Sequence, residues 1–352
     1  MKQYYKRGLL VAVALVIITA LVLSGCSGGG NKAPAASGGT PAASGSSGGG
    51  DPIVINWVAF IPQNHPQVIA FENAFCQKIN ERSNGELVME FRGGPDTISP
   101  MDQGEAARSG AVDMSFVIVG FYESQVPAVT GMMLSQLEPD EEFSDAYDYI
   151  QEIHHAGGLH WVMRAATTTG NFFYTWLKQP VSDPSEFKDM LMGSSTGGMP
   201  AVKAWGGAWT QVESNDSYTA MEQGVCVAIA GQPIAILESQ SMYEVADYAV
   251  DHGYFKGTAQ VIMNLDKWNS LPPHLQDLLT ETAKEATQEI KAIGDADVAR
   301  IRQDAIDKGF QFITFPPAVA EKYVKDAYDT AWDLLEEKFP QQAPGLRAAL
   351  TK

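Results

Sequence analysis

The sequence predicts an α/β fold in two lobes with a cleft between them, and three features lead there. Apolar patterning and turn residues between positions 53 and 118 give a β-α-β-α-β order, which implies a parallel sheet. A second unit of the same kind begins after about Gly170. A helical pattern of about 35 residues then opens after Leu271-Pro272-Pro273, and at 1.5 Å per residue it reaches roughly 50 Å, enough to brace both lobes.

In the first unit, Ile53 to Val58 reads as a buried strand. Ile69, Phe75, Cys76 and Ile79 lie near helical spacing between Pro66 and Arg82, and Asn84-Gly85 closes that helix. Glu86 to Phe91 alternates as the next strand. A short helix from Met101 to Ser109 ends at Gly110, before the strand Val112 to Ile118. Leu159 to Arg164 and Phe172 to Trp176 are the strands expected to join the lobes. Beyond them a helix around Asp216 to Gln223 precedes the strand Val225 to Ala230. The long helix carries Leu275, Leu278, Leu279, Ala283, Ala286, Ile290 and Ile293 at spacings of three and four. It continues through Ile301 and Ala305 to Gly309, with Gly294 as a kink point, and a last amphipathic helix runs from Val319 to Phe339. No internal repeat is present.

The ends and the composition bound the function. Lys2, Lys6 and Arg7 precede an apolar run from Leu9 to Leu23 that closes in Leu23-Ser24-Gly25-Cys26. This is the form of a secretory signal peptide over residues 1–25. About 15 apolar residues fall short of the roughly 20 a spanning helix needs, although an uncleaved N-terminal anchor is the competing reading. The tetrapeptide resembles the bacterial lipobox, which makes Cys26 the expected lipid attachment. Residues 26–50 are almost wholly Gly, Ser, Ala, Pro and Thr and cannot bury enough apolar surface to fold, so they read as a tether. The remaining 300 or so residues exceed one usual core. The net charge of −18 becomes −21 without the three basic signal residues, and this gives no footprint for nucleic acid. Cys76 and Cys226 sit in apolar segments and are expected to pack as free thiols.

Four stretches carry a family resemblance: Ser83-Asn84-Gly85-Glu86-Leu87 running into Phe91-Arg92-Gly93-Gly94; Ala107-Arg108-Ser109-Gly110-Ala111-Val112-Asp113-Met114; Tyr218-Thr219-Ala220-Met221-Glu222-Gln223-Gly224-Val225; and Trp268-Asn269-Ser270-Leu271-Pro272. In this order, behind a lipobox, the chain from Asp51 to Lys352 resembles the solute-binding subunit of tripartite ATP-independent periplasmic (TRAP) transporters. The resemblance implies a periplasmic-binding-protein fold of the type II kind, with crossing strands and a long helix spanning both lobes. It also implies a monomeric binder of a small organic ligand in the periplasm or at the cell surface. Its partners would be the membrane permease subunits, and it would need no cofactor or metal.

The chain departs from the family where that ligand is held. Gly193, in Lys188-Asp189-Met190-Leu191-Met192-Gly193, stands where most members carry a carboxylate-binding arginine. Phe172 falls at a second arginine position, and Val227 to Pro233 replaces an Asp-Gly-x-Glu-Asn-Pro stretch, with Gln232 alone keeping an amide. An arginine fork gives a carboxylate charge-assisted bonds of about 1.5–3 kcal/mol each. Either the ligand lacks that carboxylate, or Arg164 or Lys178 supplies the missing cation. The ligand is expected between Phe60, Ile118 and Tyr122 on one side and Phe172, Ser194, Trp205, Glu213 and Gln232 on the other, with Arg164 as the charged member. Aromatic walls would suit an apolar or ring-bearing ligand, and core packing is the competing reading of those rings. Phe172, Tyr174 and Trp176 should share one strand face. Residues 51–169 plus 258–297 make the expected first lobe, and 170–257 plus 298–352 the second.

Catalysis finds little support. Ser194-Ser195-Thr196 offers hydroxyls, and Gly193 and Gly197 flank Ser195 at Gly-x-Ser-x-Gly spacing, but a hydrolase also needs a placed base and no motif marks one. His154, His155 and His160 lack a His-Glu-x-x-His pattern and are expected at the surface, with His65 as a helix cap or cleft-lip residue. A ligand sensor reporting to a membrane receptor is the main alternative to transport, and an extracytoplasmic hydrolase the minor one.

Overall fold

Strand pairing divides the molecule into two mixed sheets. The computed structural model describes residues 51–165, 172–257 and 259–352, so the expected signal 1–25, Cys26, the linker 26–50 and Gly170-Asn171 lie outside the described residues. The strands are β1 Ile53–Ala59, β2 Leu87–Gly93, β3 Met114–Ile118, β4 Leu159–Arg164, β5 Phe173–Leu177 and β6 Leu191–Ser194. They continue with β7 Ala208–Gln211, β8 Ala228–Gln232, β9 Tyr248–Tyr254, β10 Ala259–Asn264 and β11 Gln311–Ile313. One sheet has the order β2-β1-β3-β10-β4, the other β11-β9-β5-β8-β6-β7.

Each sheet holds one strand running against the rest. β1 is parallel to β2 and β3, while β10 lies antiparallel between β3 and β4. β6 is parallel to β7 and β8, while β5 lies antiparallel between β8 and β9. The reversals arise because the chain crosses between the sheets twice, from β4 into β5 and back from β9 into β10. The crossings run side by side: Ala165 N donates to Ala259 O at 3.0 Å, and Phe173 N to Phe255 O at 3.2 Å.

Three apolar clusters fill the molecule. In β5 the expected alternation appears, with Tyr174 and Trp176 buried in the second-lobe cluster and Phe172 packed against it, while Leu177 and Phe173 join the central cluster. The long helix spans Pro273–Asp307. Its Leu275, Leu279, Ala283, Ala286 and Ile290 are buried in the outer core of the first lobe, and its Ile301 and Ala305 in that of the second. No residue from 291 to 300 is buried. Ile293, placed on the apolar face by its spacing, is 47% exposed because it falls in this gap between cores. Ion pairs fix both halves: Lys78–Glu289 at 2.5 Å and Arg82–Glu285 at 2.7 Å in the first lobe, Arg300–Glu238 at 2.5 Å in the second.

Several local features differ from the sequence expectation. β8 starts at Ala228, not Val225, because Gly224 turns the chain at φ +71° and Val225 and Val227 are about half exposed. The helix from Pro66 to Arg82 widens to a π-helical turn over Glu72–Cys76. The last helix, Ala343–Leu350, was not anticipated. The sequence boundaries place 298–352 with the second lobe, yet Leu350 O accepts from Gln136 N at 2.8 Å and Gln342 O from the Tyr149 hydroxyl at 2.9 Å. The end of the chain thus lies against residues of the 51–169 piece. Cys76 and Cys226 are free thiols buried in different clusters.

His154 and His160, expected at the surface, are buried at 0% and 3% exposure, whereas His155 is exposed. His154 is satisfied inside, with Nε2 at 3.2 Å from the Tyr122 hydroxyl and Nδ1 at 2.6 Å from Ile150 O. His160 stacks on Trp268 with ring centroids 3.6 Å apart. Burial lowers both imidazoles, His154 to about 4 and His160 to about 2. The unfolded chain therefore takes up protons first. Stability is whole above an unfolded pKa of about 6.5 and falls as pH drops towards 4. Urea midpoints at pH 7.5 and 4.5 should show wild type losing roughly 2 kcal/mol more than His154→Gln. Equal losses would contradict this account.

Candidate functional site

Open α/β sheets bind ligands beyond the carboxyl ends of their parallel strands. In the first lobe that edge carries Phe60 after β1, Gly93-Gly94 at β2, Ile118 at β3 and Ala165 after β4; in the second it carries Ser194, Gln211 and Gln232. A cavity of about 470 Å³, within the size range of small-molecule sites, lies between the lobes beside the long helix, and of these edge residues Ala165 alone lines it. His65 and Ala70 line it from the first lobe, Ile234, Ala235 and Glu238 from the second, and Ala165 from the crossing. Ile290, Ile293, Asp297 and Arg300 of the long helix complete it. The helix is thus part of the site as well as a brace, which the sequence reading missed. The signal was available between Ile290 and Val298, about two turns of helix that place no side chain in either core.

The charges around this cavity are already paired. Arg300 forks onto Glu238 with bonds of 2.5 and 2.9 Å, and lies 3.5 Å from both Asp297 and Asp304. The Arg300 hydrogen bond holds the Glu238 carboxyl below its usual pKa. His65 caps the helix Pro66–Phe71 by accepting from Gln67 N at 3.2 Å, and partial burial lowers its pKa.

Several residues expected to hold ligand serve the core instead. Arg164 is buried and bidentate to Glu142, at 2.9 and 2.7 Å, and also donates to Gly257 O and Met132 O. Its donors are consumed, so it is no free anchor for an acid. Lys178 donates to Met221 O and follows β5, which runs away from the carboxyl edge. Tyr122 is fully buried against His154. Trp205 stacks on Tyr323 at 4.1 Å and donates to its carbonyl at 3.0 Å, inside the central cluster. Phe172 packs over Gly253 and against the second-lobe cluster.

The remaining expected residues lie at the strand ends. Phe60 is half-buried, 5.5 Å from Phe116 and 6.3 Å from Phe121, and Ile118 is half-buried beside them in the outer core. Gln232 accepts from the Ser214 hydroxyl at 2.7 Å, and Glu213 is exposed and holds Gln211 at 2.8 Å. The Ser194 hydroxyl donates to Ser195 O at 2.9 Å, not to a base. Gly198 must stay glycine, since a Cβ there would sit 2.2 Å from Ser194 Oγ and 3.0 Å from Gly231 Cα. The glycine in place of the family arginine has a reason of its own. A Cβ on Gly193 would come within 2.9 Å of Ile229, Val212 and Cys226, so this position is occupied by packing.

Two sheets with their carboxyl edges at a shared cleft, bridged by paired crossings and one long helix, define a two-lobed extracytoplasmic binding protein. The sequence profile of bacterial extracellular solute-binding protein, family 7 (DctP), matches residues 58–338, and the chain belongs to this family. A TRAP periplasmic solute-binding protein from Rhodobacter sphaeroides, in an apo open structure, superposes with a TM-score of 0.73 at 14% identity, covering 84% of this chain and 99% of that one. One from Desulfovibrio salexigens with bound orotic acid gives 0.68 at 17% identity, covering 84% and 96%. One from Sulfitobacter sp. with bound β-D-galacturonate gives 0.66 at 15% identity, covering 85% and 100%. At such identities the likeness is one of fold. An uncharacterized protein of Haemophilus influenzae is 35% identical over 115 residues, 32% of this chain and 34% of that protein. The chain thus spans about a third of that relative's length.

Proposed function

We propose that this chain is the extracytoplasmic solute-binding subunit of a TRAP-type transporter. On this reading it is anchored through lipid on Cys26, captures a small organic ligand between its lobes as a monomer, and delivers it to membrane permease subunits. The observation that carries the reading is the interlobe cavity beside the long helix, in a chain of family 7. Among the described residues no helix is long and apolar enough to cross a membrane, so attachment rests on the N-terminal segment. Closure of the lobes would bury the ligand and present a surface that the open form lacks.

A binder that fills its cleft gains stability by mass action, about 2.7 kcal/mol at a hundredfold excess over Kd, and returns the compound unchanged. A thermal-shift screen of organic acids, amines and neutral compounds is expected to yield stabilising compounds that mass spectrometry recovers intact. Conversion of the hit would favour the hydrolase reading. Metabolic labelling with a radioactive fatty acid should mark the full chain and spare Cys26→Ser, and equal labelling of both would remove the anchor from the proposal.

A further inference from the structure

We propose that the interlobe cavity takes a ligand with an aliphatic body and a cationic nitrogen and excludes carboxylates, an inference that rests on the solute-binding reading above. The lining is aliphatic: Ala70, Ile234, Ala235, Ile290, Ile293 and Ile301 face the cavity, and His65 is the single ring among its described lining residues. The rings that could have made an aromatic wall, Tyr122, Trp176 and Trp205, are buried elsewhere. Among the described residues of the lining, Arg300 is the only Lys or Arg. It is held bidentate by Glu238, with Asp297 and Asp304 also near. Glu238 and Asp297 both line the cavity, so carboxylates there outnumber guanidinium two to one.

A carboxylate entering this space would meet two like charges and no free donor fork, and in a closing cleft its desolvation would go uncompensated. An ammonium group meets the opposite situation, with Asp297 3.5 Å from a guanidinium that Glu238 already satisfies. Partial burial lowers the pKa of His65 and so favours its neutral imidazole.

Isothermal titration of the mature protein with hexylamine, hexan-1-ol and hexanoate isolates the head group on one body. Hexylamine is expected to bind about tenfold or more tightly than hexanoate, with the alcohol between them. Ala235 is exposed and lines the cavity, so Ala235→Trp should fill it without disturbing a core and weaken hexylamine about tenfold. Glu238→Gln should weaken hexylamine and admit hexanoate, because it releases Arg300. Tighter binding of hexanoate to wild type, or indifference of hexylamine to both variants, would overturn the proposal. Orotate and D-galacturonate serve as further arms. If they bind wild type and Ala235→Trp alike while hexylamine does not bind, the cavity assignment fails and the solute-binding reading stands. Silence from every compound would end both.

Discussion

Arg164→Ala is expected to cost roughly 3–5 kcal/mol of stability, a third or more of what a domain usually has. Arg164 and Glu142 are both nearly inaccessible, with side chains 2% and 1% exposed, and they meet at 2.7 Å. The guanidinium also bonds to Gly257 O at 3.0 Å and Met132 O at 2.7 Å, while the Arg164 carbonyl accepts from Thr287 of the long helix at 3.4 Å. One residue therefore joins both crossings to the helix behind them. Truncation leaves the Glu142 carboxylate buried without its cation and takes the guanidinium donors away from Gly257 O and Met132 O. The destabilisation comes from the orphaned charge, so replacing both partners with apolar groups should recover most of it. Urea unfolding of Arg164→Ala and of the double variant Arg164→Met/Glu142→Leu separates the two effects. An unshifted midpoint in Arg164→Ala would show that this pair contributes nothing.

Trp205→Ala should have a comparable effect, roughly 3–5 kcal/mol, for a different reason. Its indole lies 4.1 Å from the Tyr323 ring, with Phe187 at 5.5 Å and Tyr254 at 5.1 Å, and it supplies the donor for Tyr323 O. Alanine would leave a void between the second sheet and the helix Pro317–Lys338 and remove the indole bond to that helix. Trp205→Phe, which retains much of the ring contact, should recover about half of the loss. If Trp205→Ala instead kept its urea midpoint and lost ligand stabilisation, the indole would belong to the ligand site and not to the core.

Much of the fold could be read from periodicity, and the site much less. The long helix was legible because Leu275 to Ile290 repeats at three and four residues over many turns, and β5 because its rings alternate. The misreadings have local causes. Trp205 and Tyr122 resemble cleft rings in sequence, but their partners Tyr323 and His154 lie 118 and 32 residues away. Arg164 meets Glu142 from the short helix Pro139–Ser144, 22 residues earlier in the chain. The missing arginine at Gly193 was visible in the sequence. Its reason, the contact with Ile229, Val212 and Cys226, exists only after β6, β7 and β8 assemble. His154 and His160 were misplaced because a histidine carries no sign of whether its partners are water or protein.

The stretch from 291 to 297, which places no side chain in either core, makes the long helix a leaf spring clamped at both ends. Its first half packs into one core and its second half, from Val298 onward, into the other, so a change in the angle between the lobes would load about 10 Å of helix between them. Work done in flexing that segment would be returned on relaxation, so its stiffness would oppose any change in the angle between the lobes.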